Sequence, residues 1–130
     1  GNVVINSTSV YVSSNSVVLP TLTTTFGVGY TFNAFNAGTQ SSGTFTPTAV
    51  NSNYQYLSAN GAFTLAAPAA DSAIDLLVTN GTAAGTITFS GFTVQSGGTG
   101  DAYTTTSTSK FIIMIKRINS VSTYLIKALQ

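Results

Sequence analysis

Lys110-Phe111-Ile112-Ile113-Met114-Ile115-Lys116-Arg117-Ile118-Asn119-Ser120-Val121-Ser122-Thr123-Tyr124-Leu125-Ile126-Lys127-Ala128-Leu129 decides the fold class. Two runs rich in β-branched and aromatic residues flank Asn119-Ser120, and neither run has a helical period. Treated as a two-residue loop, Asn119-Ser120 pairs Ile118 with Val121, Ile115 with Tyr124, Ile113 with Ile126 and Phe111 with Ala128. These pairs are expected to face the core. The other face carries Ile112, Met114, Lys116, Thr123, Leu125, Lys127 and Leu129. A free sheet face is mostly polar, whereas this one is about half apolar, so it calls for a cover. A second protein chain and the N-terminal strands of the same chain are equally good candidates. Ile112, Met114, Leu125 and Leu129 are the residues such a subunit interface would use.

Upstream, from Gly43, the same vocabulary recurs in short pieces: Gly43-Thr44-Phe45-Thr46-Pro47, Tyr54-Gln55-Tyr56-Leu57, Ala62-Phe63-Thr64-Leu65-Ala66 and Ala73-Ile74-Asp75-Leu76-Leu77-Val78-Thr79. Thr86-Ile87-Thr88-Phe89 and Gly91-Phe92-Thr93-Val94 follow, then a Gly-rich corner, Gly97-Gly98-Thr99-Gly100-Asp101. Asn60-Gly61 and Asn80-Gly81 lie between such runs and read as type I′ hairpin turns, whose two central residues need positive φ.

Residues 1–42 add Val3-Val4-Ile5, Val10-Tyr11-Val12 and Val17-Val18-Leu19, each of strand length, and Tyr30 to Phe35, a strand expected to end in a bulge or turn. A weak echo links Val18-Leu19-Pro20 and Tyr30 to Thr39 with Leu65 to Pro68 and Ile74 to Thr82, but shared strand-and-turn grammar accounts for it equally well. The expectation is an all-β chain, an antiparallel sandwich or jelly-roll-like domain over 43–130 closed by the hairpin at 110–129. Residues 1–42 would complete its sheets or attach it to a neighbour.

Composition narrows function by exclusion. Of 130 residues 43% are hydrophobic and 5% charged, with a formal charge of +1, which suits a folded domain with a core rather than a disordered tail. The chain lacks His, Cys, Trp and Glu. The usual general bases are therefore missing, as are the ordinary zinc and copper ligands. Four basic residues, Lys110, Lys116, Arg117 and Lys127, are too few for a nucleic-acid footprint. No apolar run approaches the roughly 20 residues of a membrane-spanning helix, and the first residues do not read as a signal peptide.

The carboxylates are Asp71, Asp75 and Asp101. On one strand Asp71 and Asp75 would stand about 13 Å apart, too far for a paired-carboxylate glycosidase site. They read instead as turn and edge aspartates, solvated or bonded to nearby N–H groups. An oxygen cage for calcium at Gly97 to Asp101 would have a single carboxylate. Ser109 and Lys110 are adjacent and point to opposite strand faces, a poor nucleophile pair. Tyr54, Tyr56 and Tyr103 lie beside polar, loop-like residues and are candidates for contact with a receptor or sugar, although alternate aromatics also fill cores. No enzyme activity and no cofactor are expected.

From Gly43 to Gln130 the chain resembles a domain found among bacteriophage virion proteins and prophage tail-region proteins. The likeness rests on Gly43-Thr44-Phe45-Thr46-Pro47, Asn60-Gly61-Ala62-Phe63-Thr64-Leu65-Ala66-Ala67-Pro68, Ile74 to Gly81, Phe89-Ser90-Gly91-Phe92, Gly100-Asp101 and the ending Tyr124 to Gln130. It implies a β-rich, non-enzymatic component on the particle exterior, either a tail fibre or spike module or a capsid decoration protein. Its expected partners are copies of itself in a homotrimer, other virion proteins and host surface glycans.

Overall fold

The computed structural model describes Gly29 and residues 31–129. One compact unit begins at Thr31 and runs through the C-terminal hairpin. The strands expected at Val3-Val4-Ile5, Val10-Tyr11-Val12 and Val17-Val18-Leu19 lie outside the described residues.

The described chain is all β, with eight strands and no helix: β1 (Phe35–Gln40), β2 (Thr44–Phe45), β3 (Tyr54–Ala59), β4 (Phe63–Ala66), β5 (Ser72–Asn80), β6 (Ile87–Ser90), β7 (Lys110–Ile118) and β8 (Val121–Ala128). They form a five-stranded sheet ordered β1-β3-β5-β7-β8 and a three-stranded sheet ordered β2-β4-β6. The chain thus alternates between the sheets, and each pass adds a strand parallel to the one before it. The β1/β3, β3/β5, β2/β4 and β4/β6 ladders are all parallel. The first six strands are therefore three turns of a short parallel β-solenoid. Only β5/β7 and β7/β8 are antiparallel, so the larger sheet is mixed. The antiparallel pairing expected throughout is confined to the last three strands.

The reason lies at the corners. Asn60 and Gly61 join β3 to β4, which belong to different sheets, and neither has positive φ; the same holds for Asn80 and Gly81 after β5. They are not hairpin turns. At each corner the backbone of one coil stacks on that of the previous coil and continues the ladder: Asn60 N–H donates to Gln40 O at 2.8 Å and Gly81 N–H to Ala59 O at 2.7 Å. A Cβ at Gly61 would run into the carbonyl of Ser41, and one at Gly85 would come within 2.5 Å of Ala62 N. Glycine is required here for close backbone approach. The Asn60 side chain ties the stack onward, its Oδ1 accepting from Ala83 N–H at 3.1 Å.

Alternation along the strands builds the core. Leu57, Ala59, Ile74, Leu76, Val78, Phe111, Ile113, Ile115, Tyr124 and Ile126 of the larger sheet are buried with Phe63, Leu65 and Ile87 of the smaller one. Removing this apolar surface from water is the main stabilising term. Of the strand expected at Tyr30 to Phe35, Tyr30 lies outside the described residues and residues 31–34 are not in a strand; β1 begins at Phe35 and carries a bulge at Gly38 (φ 75°), where the β1/β3 register shifts. Gly91 to Val94 is not a strand: it opens the crossing segment 91–109.

The β7/β8 hairpin has the register its sequence implies, with Ile118 opposite Val121, Ile115 opposite Tyr124, Ile113 opposite Ile126 and Phe111 opposite Ala128. Asn119 (φ 47°) and Ser120 (φ 68°) occupy the left-handed region that a type I′ turn demands. The Ile118–Val121 pair, however, belongs to the outer face, where the two side chains are 68% and 56% exposed. Parity along β7 puts Ile118 with Met114 and Lys116, whereas Ser122, buried opposite Arg117, takes the inward place.

The far edges of both sheets are closed by segment 91–109. Thr93 N–H and Asp101 N–H donate to Ser122 O and Ile126 O along the edge of β8, and Ile126 N–H donates to Thr99 O. On β6, the Tyr103 hydroxyl accepts from Ile87 N–H at 2.9 Å and donates to Ile87 O at 3.2 Å. Asn80, itself buried, pins the segment by donating from Nδ2 to Thr104 O and Thr106 O. Exposed edges invite pairing with other chains, and few charges are available here to deter it.

The corner stack makes a direct prediction. Gly61→Ala is expected to lower stability by about 1–3 kcal/mol, whereas Gly29→Ala, where a Cβ meets nothing within 4 Å, should be near neutral. Urea midpoints at unchanged slope measure both.

Candidate functional site

The outer face of the larger sheet carries most of the side chains singled out in the sequence. Because neighbouring strands are in defined register, this face consists of cross-strand rows. Tyr56, Leu77, Ile112 and Lys127 make one row, and Tyr54, Asp75, Met114 and Leu125 the next. Tyr54 and Tyr56 are 46% and 40% exposed, Leu125 is 44% exposed, and Ile112 and Met114 are half-buried. Leu129, just past β8, is exposed as well.

Two regions of the face differ in shape. Over β3 and β5 runs a groove of about 320 Å³ walled by Tyr54, Tyr56, Asp75, Leu77 and Ile112. It adjoins a hollow of about 280 Å³ formed by Phe32, Asn53, Tyr54, Ala73 and Asp75. The Phe32 ring meets Tyr54 edge-on, with centroids 5.1 Å apart at 86°, an arrangement that holds the tyrosine ring upright. Over β7 and β8, Met114 and Leu125 form an apolar strip bordered by Lys116 and Thr123.

Tyr103 does not join Tyr54 and Tyr56. Its ring packs against Phe89 and Phe111 on the inner side of the fold, and its hydroxyl is engaged by Ile87. Aromatic stacking continues inward, where Phe89 lies flat on Tyr124 at 4.0 Å and 10°. Burial there pushes the Tyr124 phenol above its ordinary pKa.

The three aspartates are used differently. Asp71 caps the hairpin turn, accepting from Asn119 N–H at 2.8 Å and Ser120 N–H at 3.1 Å, with Arg117 Nε 3.6 Å away. Asp101 accepts from Lys127 Nζ at 3.1 Å and from Ala128 N–H at 3.0 Å through the same oxygen. The Lys127 hydrogen bond, then the Ala128 N–H and the Lys127 charge, hold its carboxyl below the usual carboxylate pKa. Both fit the reading of aspartates bonded to nearby N–H groups. Asp75 fits the solvated alternative, exposed in the groove with no hydrogen-bond or ion-pair partner for its carboxylate among the described residues.

Among the described residues no three His, Cys, Asp or Glu side chains gather as a metal site would need. The carboxylates are spread over the hairpin turn, the groove and the edge of β8. Ser109 is buried, while its neighbour Lys110 points outward. The arrangement offers surface for recognition: rigid aromatic area, an apolar strip and a free acceptor. The strip was found by period-two alternation in the hairpin, and the tyrosines by their polar, loop-like neighbours. Asp75 was visible as a carboxylate, but its place between two tyrosines depends on parallel pairing that the sequence did not disclose.

Comparison with protein families, with curated proteins and with solved structures finds no match for this chain.

Asp101 supplies a pH-dependent tie between segment 91–109 and β8. Because its folded pKa lies below the unfolded one, its contribution is complete above the unfolded value and is lost as pH falls through the folded value. Asp101→Asn is therefore expected to flatten the acid limb of the stability profile, from the ordinary carboxylate range downward. Urea midpoints across that range, compared with the parent, measure the difference.

Proposed function

We propose that this chain is a non-enzymatic structural protein on the exterior of a bacteriophage particle, a tail fibre or spike module or a capsid decoration protein, acting as a symmetric oligomer. The reading starts from the virion-like ordering of motifs over residues 43–130 and from a composition without the usual catalytic side chains. The observation that carries it furthest is the apolar strip of Met114 and Leu125, with Ile112 and Leu129 beside it, on the outer face of the described sheet. In this reading the two sheets form a two-layer sandwich whose stability comes from stacked coils and a shared core, without metal or disulfide. Such a module suits a particle surface, where it must persist without cofactors, and an apolar face repeated by symmetry suits a closed ring of copies.

A homotrimer is the expected state in solution. Met114→Lys and Leu125→Lys, both outside the core, should each weaken self-association at least tenfold (roughly the cost of charging a buried contact), read by sedimentation equilibrium, with the circular dichroism spectrum unchanged. A parent chain that stays monomeric at high concentration would count against the oligomer. Gold-labelled antibody on particles of the source phage or induced prophage tests the location: label on capsid or tail supports the proposal, and label on no particle overturns it.

A further inference from the structure

We infer that the groove between Tyr54 and Tyr56 is a saccharide-binding site, selective for uncharged or amino sugars over acidic ones. The inference goes beyond the particle-component reading and does not depend on it.

The first argument is the wall. Tyr54 and Tyr56 are two residues apart on β3, so their rings stand on the same face roughly 6.6 Å apart along the strand. Both are well exposed, in a strand whose alternate residues Gln55, Leu57 and Ala59 are buried. A tyrosine ring offers flat apolar area to the C–H face of a pyranose, and few rotatable bonds must be fixed on binding. Phe32 braces the Tyr54 ring, so this platform is built before any ligand arrives. Preorganisation of this kind lowers the entropic cost of binding.

The second argument is polarity. The parallel register places Asp75 directly opposite Tyr54 and Leu77 opposite Tyr56. A carboxylate therefore sits at the foot of one ring and an aliphatic side chain at the foot of the other. Asp71 and Asp101 accept from N–H groups or a lysine, whereas the Asp75 carboxylate has no such partner among the described residues. Asn53, in the adjoining hollow, donates from Nδ2 to Ala73 O at 2.7 Å. Asp75 itself only accepts, so a ligand group that meets it must bring a donor. Sugar hydroxyls and a protonated amino group do so; a carboxylated or sulfated sugar meets a like charge at Asp75.

The third argument is size. A space of about 320 Å³ lies at the low end of small-molecule sites, room for one or two sugar units rather than a folded protein surface. An open groove with aromatic walls also lets a longer glycan run on past it.

The test uses the whole chain on an immobilised array of neutral, amino and acidic saccharides, followed by titration calorimetry with the retained sugars. Retention of neutral or amino sugars is expected, with Tyr54→Ala and Tyr56→Ala each weakening affinity roughly tenfold and Tyr54→Phe close to the parent. Asp75→Asn should abolish any preference for amino over neutral sugars and admit acidic ones. Thermal melts of each variant separate lost binding from lost fold, since these side chains lie outside the core. Three results would overturn the inference: no sugar retained, acidic sugars preferred by the parent, or binding unchanged in both alanine variants. Each of them would leave the particle labelling and the oligomer measurements standing on their own.

Discussion

Everything in this domain rests on how closely backbone can stack on backbone at the corners between the two sheets. Successive strands of a parallel ladder lie about 4.8 Å apart, so the peptides that turn the chain from one sheet to the other must keep that spacing while bending. Ser41, Gly61 and Gly81 occupy successive levels of this turn, with Gly85 above Ala62. Where a Cβ would intrude, the sequence has glycine, and where a side chain is tolerated, as at Asn60, its amide oxygen bonds the level above. The corners fix the register of β1, β3 and β5, and the register in turn sets which side chains face the core and which form the outer groove.

That dependence explains what could be read from sequence alone. The β7/β8 hairpin was fully legible, because a two-residue loop leaves one register and the alternation of Phe111, Ile113 and Ile115 identifies the buried face; only the parity of Ile118 and Val121 was misassigned. The parallel coils were not legible. Asn60-Gly61 and Asn80-Gly81 are strong hairpin signals, yet here glycine serves close approach at ordinary φ rather than a reversed turn. The true repeat matches Thr44-Phe45 with Thr64-Leu65 and then Thr88-Phe89. Corners and returns of unequal length obscure it, and the echo noted in the sequence aligned different pieces. Of the candidate contact residues, Tyr54 and Tyr56, singled out by their polar neighbours, are exposed. Tyr103 turned inward because its hydroxyl completes the edge of β6, a long-range bond with no local signature.

The two faces of the larger sheet divide the work of the molecule. Inward, Leu57, Leu76 and Ile113 are fully shielded and hold the layers together. Outward, the same strands present tyrosines at one side and aliphatic residues at the other, with Ile112 on the boundary. Both surfaces are carried on hydrogen-bonded strands rather than loops, so neither needs to be ordered when it meets a partner. The low charge of the chain has the same consequence on each: a single carboxylate, Asp75, sets the polarity of the groove.

The cap that Asp71 places on the Asn119-Ser120 turn has a consequence in time. The β7/β8 ladder closes through a two-residue loop, while every parallel ladder described must bring together residues about 20 positions apart, and such closures form later. Asp71 stands at the threshold of β5, and its bonds to Asn119 and Ser120 couple the earliest structure to the third coil. β7 itself meets β5 across a longer stretch of chain, Ile74 opposite Ile115, so the coils and the hairpin each close more locally than they join.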